Sequence, residues 1–570
     1  MARQRRNRQA KTGVVAGAVV AALLAVPGSA SATVTSAVNG AGVLTVNSDA
    51  SDPIAITSVG GDVKVNGGNP GGGNTTVDSA TITAIDVSGG PGANDINLAG
   101  VNGTDFTSLD TVTVDGGDGN DTINGTQLAD QLDGGNGDDR IIGDNNPAGT
   151  DDRSIGDAGN DTMVWNPGDG DDVNEGGTGS DTAEVNGGGD ETFTVAPSAT
   201  AGRVSFDRPS NPFNVDISDD TERLDLNAGA GIDNVTSENG LDALGFALDI
   251  DGGAGNDVLD GGDGADLLTG GADNDRIVGD NNPAGTDDRS IGDAGDDTLV
   301  WNPGDGDDLN EGGDGTDTIE VNGGGGGEVF EVKPSAIPGR VAFDRTGPNP
   351  PGPFNLDIGT SERLDLNANG GDDSLNAAGP APGLGGWTID AEGGDGNDTL
   401  SGGDLSVDLL SGGAGADTFR TRDQTADSLT GGTEVDSAVV DAQDIVNGDV
   451  EIVDRGQAQD TVAPVVKVSK KAVRVNRNRI AAIRVTGPAG EDARVTVKLR
   501  RKGKLLGSKT ISVDAGESKL VRVKLSRKAF ALLKKRDRLQ VKAIVTARDA
   551  AGNSRKRTVA LTLKEPKPKR

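Results

Sequence analysis

A nine-residue pattern, Gly-Gly-x-Gly-x-Asp-x-apolar-x, returns along this chain and limits what it can fold into. Its clearest copies start at Gly116, Gly134, Gly252, Gly261, Gly312, Gly393 and Gly412. A fixed short period is the mark of a repeat architecture, in which each unit buries its apolar face only against its neighbours. The first six residues of the unit suit a corner rather than regular structure, because glycine allows positive φ and close approach of backbone to other groups. The last three alternate polar, apolar, polar, which is a minimal strand with position 8 turned inward. That position holds Ile123, Ile141, Leu259, Leu268, Ile319, Leu400 and Phe419. A flexible acidic linker would have no reason to keep an apolar residue there. Position 6 is an aspartate, whose hard anionic oxygen suits Ca²⁺ and its six to eight oxygen ligands.

At these residues the chain resembles the hemolysin-type (RTX) calcium-binding repeat family. The resemblance implies a parallel β-roll with ions between successive glycine corners. It makes Asp121, Asp139, Asp257, Asp266, Asp317, Asp398 and Asp417 the expected ligating side chains of the clear copies, beside Gly116, Gly134, Gly252, Gly261, Gly312, Gly393 and Gly412. Weaker copies add Asp161, Asp181, Asp275 and Asp297, which follow Gly156, Gly176, Gly270 and Gly292. The unit from Gly125 keeps Asp130 and Leu132 but has lost its glycines, so a strand without an ion is expected there. The stretch GDNNPAGTDDRSI, from Gly143 and again from Gly279, is longer than a unit and is expected to bulge as a loop.

Composition narrows the chemistry. The chain has 570 residues and no Cys, His or Tyr, which removes disulfides, the usual zinc, copper and haem ligands, and His- or Cys-based catalysis. Charge is sharply divided. Residues 461–570 hold 32 Lys and Arg against seven Asp and Glu, a balance of +25, whereas residues 33–460 carry −68. Self-repulsion of that size opposes compaction. About ten bound Ca²⁺ would cancel about a third of it. The repeat region is therefore expected to lose order without calcium, with metal binding forming part of its folding free energy. Residues 1–32 read as a secretory signal peptide: a basic start, an apolar run from Gly13 to Val26, and Ala30-Ser31-Ala32 before a cleavage expected after Ala32. No other long apolar run exists, so no membrane span is expected in the mature chain, and the location is secreted, extracellular or at the cell surface. An N-terminal signal departs from the many family members exported by a C-terminal one, which weakens any analogy to the toxins among them.

The expected architecture is all-β: a parallel β-roll/β-helix repeat stalk followed by a C-terminal antiparallel β-sandwich. Residues 33–115 read as a β-rich, β-helix-like region, with a small antiparallel sandwich as the alternative. Calcium-binding repeat blocks are expected at 116–184, 251–320 and 391–440, with β-rich coils at 185–250 and 321–390. A longer repeat lies above the nonapeptide, since Gly143–Trp165 returns almost unchanged as Gly279–Trp301. A linker is expected at 441–463, then a basic domain at 464–563 and a basic tail at 564–570. Strand-like runs and turn signals such as Gly487-Pro488 suggest six or seven strands there, with a short helix at Arg527–Lys535. This segment resembles bacterial immunoglobulin-like domains, through the DxxAP of Asp460–Pro464 and the DAAGN of Asp549–Asn553.

The functional expectation is a secreted calcium-binding repeat protein with a structural or adhesive role at the cell surface or in the matrix. The basic 464–570 region could engage anionic cell-envelope polymers or polysaccharide, or dock on the acidic repeats. With only Phe530 as an aromatic, it offers no base-stacking surface and no specific nucleic-acid partner is expected. Trp165 and Trp301, both in VWNPGDG, are expected to pack rather than to stack on sugars. The alternative is a calcium-dependent polysaccharide-binding protein or a polysaccharide lyase on a β-helix, with Arg140, Arg153, Arg276 and Arg289 as candidate bases. Regular repetition of these arginines argues for structure over catalysis, since one active site needs one special constellation.

Overall fold

The computed structural model describes residues 33–144, 151–209, 213–280, 287–346, 353–377, 387–403, 406–455, 463–469, 471–488, 492–549 and 552–566. The expected signal peptide lies outside them, as do six of the thirteen residues of each expected loop bulge, at 145–150 and 281–286, while the ends of those stretches are strand from Asp152 and from Arg289 rather than loop. Two compact units divide the chain, with the boundary at Val453/Asp454 apart from a short exchange at Val439–Ala442.

The larger unit is a two-sheet parallel coil. The chain alternates between the sheets at each corner. In the first sheet, strands Ala84–Ser88, Thr111–Asp118, Asp130–Asn136, Asp152–Gly159 and Asp172–Gly179 pair parallel in turn. In the second, Asp95–Gly100, Thr122–Asn124, Arg140–Ile142, Thr162–Trp165 and Thr182–Asn186 do the same. Position 8 of the repeat stacks along the interior: Ile123, Ile141, Met163, Ala183 and Leu224 are register partners and fully buried. Burying each such Ile or Leu contributes about 1.5–3 kcal/mol, so a coil this thin draws its stability from repetition. Residues 33–115 enter the same two sheets. Val43–Ser48 pairs parallel with Ala84–Ser88 and Pro53–Val59 with Asp95–Gly100, while Val34–Val38 and Asp62–Val65 add antiparallel partners.

Two elements depart from the sequence expectation. The segments 185–250 and 321–390 are not plain coils. Each carries an antiparallel three-strand meander, Thr192–Pro197, Arg203–Asp207 and Asn214–Ser218 in the first sheet, and Val329–Pro334, Val341–Arg345 and Phe354–Gly359 in the second. Alternation of apolar residues is the same for a parallel coil and an antiparallel hairpin, so the pattern alone could not separate them. The expected linker at 441–463 also begins later, because Ile445–Val446 and Ile452–Asp454 continue the sheets.

Among the described residues, the smaller unit is antiparallel in all but one pairing. Lys467–Val468, Ile480–Thr486 and Ser518–Lys524 form one sheet. Ala472–Arg474, Ser554–Lys564, Arg538–Arg548, Ala493–Arg501 and Lys504–Val513 form the other. Val485, Val521 and Val523 of the first share a buried core with Val495, Val497, Val541 and Val545 of the second. The helix runs Arg527–Arg536, capped by the Ser526 side chain accepting from the Ala529 N–H. Sequence reading missed Lys504–Val513, whose glycine and lysines mask its alternation.

Candidate metal centres

The eleven aspartates expected as ligands share one environment. Asp121, Asp139, Asp161, Asp181, Asp257, Asp266, Asp275, Asp297, Asp317, Asp398 and Asp417 are each at most 3% exposed. In each, Oδ1 accepts from a backbone N–H one coil earlier. Asp139 Oδ1 takes the Asp121 N–H at 2.7 Å, Asp161 that of Asp139 at 2.8 Å and Asp181 that of Asp161 at 2.8 Å. The same ladder joins Asp257, Asp275, Asp297 and Asp317, and then Asp398 and Asp417. In every one of the eleven, Oδ2 is buried and without a hydrogen-bond partner. A buried carboxylate oxygen left unmatched is costly. Eleven repeats of the same omission point to a cation as the missing partner.

The corner glycines supply the space. A Cβ on Gly116 would lie 2.6 Å from Asp121 Oδ2 and 2.5 Å from the Gly134 carbonyl oxygen. On Gly252 it would lie 2.6 Å from Asp257 Oδ2 and 2.8 Å from the Gly270 oxygen. Gly134, Gly261, Gly312, Gly393 and Gly412 face the Oδ2 of their own aspartates in the same way. Position 1 is thus glycine to leave room between an anionic and a carbonyl oxygen, whereas position 2 is glycine for its backbone angle, φ +100° at Gly117. Weaker copies keep the geometry, since Asp157 and Asp293 adopt φ +67° and +71° at position 2, and Asp273 adopts +76° at position 4. Oxygen-only, carboxylate-plus-carbonyl corners fit a hard divalent ion of Ca²⁺ type.

Burial also shifts the acid–base balance. It pushes the carboxyls of Asp161 and Asp275 up to about 7, helped by the aspartates one coil to either side. Asp266 rises to about 8, with burial again the main cause. A carboxyl held there is matched to a site whose resident charge is a metal ion.

The structure does not bring all eleven together on one edge. Asp121, Asp139, Asp161 and Asp181 precede strands of the second sheet, and so do Asp398 and Asp417. Asp257, Asp275, Asp297 and Asp317 precede strands of the first. The consensus corners therefore change edges between blocks, and Asp266 stands on the edge opposite its block, laddered from Leu248 to Asp288.

Several ladder members were missed in the sequence. Asp233, Asp373 and Asp436 carry the same unpartnered Oδ2 and the same amide bond, from Glu191, Glu328 and Asp417. Their glycines are incomplete, but the Asp-x-apolar ending in Asp233-Asn234-Val235 and Asp373-Ser374-Leu375 was readable. Asp152, Asp172, Asp288, Asp308, Asp408, Asp427 and Asp444 build ladders on the other edge. Asp130, in the strand Asp130–Asn136, differs, since Thr126 satisfies both its oxygens through its N–H and hydroxyl.

Two ladder positions hold glutamate with a protein cation. Glu191 pairs with Arg208 at 2.8 Å, and Glu328 pairs with Arg345, both side chains 1% exposed. Each arginine comes from the meander that follows, so these corners carry their own positive charge. Three of the four arginines weighed as lyase bases are tied up similarly. Arg140 is bidentate to Glu184 at 2.7 and 2.8 Å, Arg276 to Glu320 at 2.8 and 3.1 Å, and Arg153 reaches Glu175. Trp165 and Trp301 are 2% exposed and stack on Phe213 and Phe354 at 3.8 and 3.7 Å, their indole N–H groups donating to Gly170 and Gly306 carbonyls. They offer no face to a sugar.

Residues 115–146, 250–282, 392–425 and 405–436 match, as four copies, the RTX calcium-binding nonapeptide repeat. No curated protein is significantly similar to the chain. The cation these repeats hold is Ca²⁺, in multiple sites.

Proposed function

We propose that this chain of RTX calcium-binding nonapeptide repeats is an exported scaffold or adhesion protein whose repeat unit is ordered by calcium at the aspartates named above. The observation that carries the reading is the run of buried, unpartnered Oδ2 atoms in register with glycine corners. Export places the chain where calcium is plentiful, and sites with Kd of roughly 10⁻⁴–10⁻³ M suffice for extracellular modules. Ca²⁺ then serves in place of the disulfides that this Cys-free sequence cannot make. The leader at 1–32 and the boundaries drawn from the sequence belong to this proposal.

The immunoglobulin-like basic unit is proposed as the attachment module. On its larger sheet Arg494 lies directly opposite Arg548, Arg500 opposite Lys542, and Arg538 opposite Lys564. Like charges at such positions are destabilising, so a surface that gathers them is suited to an anionic polymer such as an acidic envelope glycan.

The test is a calcium titration of the full chain followed by far-UV circular dichroism, with magnesium as control. A cooperative gain of β-structure near millimolar calcium, absent with magnesium, supports the reading. A repeat unit fully folded in EGTA and silent to calcium sinks it.

A further inference from the structure

The second edge ladder of the third block, inside residues 405–436 that match the calcium-binding repeat, holds a corner without the glycines of the nonapeptide. The corner Thr421–Asp427 contains no glycine, and Gln424 takes the position of positive φ, at +80°. There the Asp423 side chain turns inward. Its Oδ1 accepts from the Thr425 N–H at 2.8 Å and hydroxyl at 2.7 Å, while its buried Oδ2 has no hydrogen-bond partner. Asp427, fully buried, uses Oδ1 for the Asp408 N–H at 2.9 Å and also leaves Oδ2 unpartnered. Asp408, fully buried as well, comes from the preceding coil and accepts from the Ile389 and Gly403 N–H groups. One oxygen from each of the three carboxylates lies within 4.8 Å of the others.

Three carboxylates this close repel strongly unless a cation lies among them. The nonapeptide corners pair an aspartate with glycine carbonyls, so a site with a carboxylate at Asp423 is of another kind. From this convergence and the two unpartnered buried oxygens we infer that Asp408, Asp423 and Asp427 form a separate all-carboxylate site for a hard divalent cation, filled before the glycine corners. The inference rests on the calcium reading and deepens it. Higher ligand charge raises affinity for Ca²⁺ at oxygen sites, so this site fills at a calcium concentration at least about tenfold lower than the corners.

Asp423→Asn tests it, since the isosteric amide keeps an oxygen for both Thr425 bonds. Calcium binding to the full chain is followed by calorimetry. Terbium, a hard oxygen-seeking stand-in, is followed by emission excited through tryptophan. Trp387 lies two residues before Ile389, whose N–H donates to Asp408, so it is placed to sensitise this site. The expected result is loss of the earliest calcium-binding phase and of the part of the terbium emission that Trp387→Phe also removes. Residual β-structure in EGTA should be unchanged or higher for Asp423→Asn, because one repelling charge is gone, whereas its melting temperature in calcium should be lower than wild type. A purely structural aspartate would weaken the protein in both. Unchanged stoichiometry and emission, or equal destabilisation in EGTA and in calcium, overturns the site. A wild-type chain that binds neither ion overturns the calcium reading itself.

Discussion

The Arg345–Glu328 pair gives a sharp quantitative prediction. Both side chains are 1% exposed, and Glu328 also accepts from the Gly324 N–H at 2.8 Å. Arg345→Met leaves a buried carboxylate without its cation, a change that costs about 3–5 kcal/mol. The whole chain does not unfold as one unit, so the cost is read locally, by hydrogen exchange in saturating calcium at amides of Val329–Val332 and Ser374–Ala377, which pair with each other. At about 1.4 kcal/mol per tenfold, exchange there should accelerate by roughly 10²–10³-fold. Glu328→Gln combined with Arg345→Met removes the stranded charge while keeping an acceptor for Gly324, and should recover most of the loss. The idea that these corners carry their own cation is refuted if the single variant exchanges within about fivefold of wild type, or if the double variant is as labile as the single.

Three further outcomes follow from the same geometry. Without metal, the carboxyls of Asp161, Asp275 and Asp373 sit near 7 and that of Asp266 near 8, all raised by burial. A raised carboxyl pKa gives stability that is complete below the unfolded value and lost as pH rises through the folded one. The residual β-structure seen by far-UV circular dichroism in EGTA should therefore fall steadily from pH 5 to pH 8, and a flat or rising profile would contradict the assignment. Gly116→Ala places a Cβ 2.6 Å from Asp121 Oδ2 and should cost about 1–3 kcal/mol of local stability in calcium. Gly189→Ala, with nothing within 4 Å of its Cβ, should be silent in the same exchange measurement. Trp301→Ala breaks the stack on Phe354 and should destabilise its coil by about 3–5 kcal/mol, visible as a lower melting temperature, with glycan-array binding unaltered.

The period of nine made the corners and the inward apolar positions legible, because both are local: Gly116 to Ile123 contains the room, the buried carboxylate and the strand. Asp152, Asp172, Asp408 and Asp427 were not found, since their corners do not keep the Gly-Gly-x-Gly-x-Asp spacing and only the half-coil spacing marks them. Asp130, nine residues from both Asp121 and Asp139, shows how that spacing could have been used. The built-in cations were beyond local reading. Arg208 and Arg345 follow Glu191 and Glu328 by 17 residues each, and meet them only because the meander turns back. The change of edge between blocks was invisible for a similar reason: the pattern records each corner but not which sheet the chain leaves.

The one-way amide-to-carboxylate ladder bears on how such a chain can change over generations. Each rung reads only the next rung, through one N–H and one oxygen, and every coil presents the same pair of faces above and below. Whole coils can therefore be gained or lost without altering any other rung, whereas insertion of half a coil would send every later strand to the opposite sheet. The near-identical Gly143–Trp165 and Gly279–Trp301 lie on opposite sheets, so the later copy stands half a coil out of phase with the first, a shift the coil takes because both sheets accept the same corner. Length in this fold is a quantity that recombination can adjust in steps, at little risk to the parts already built.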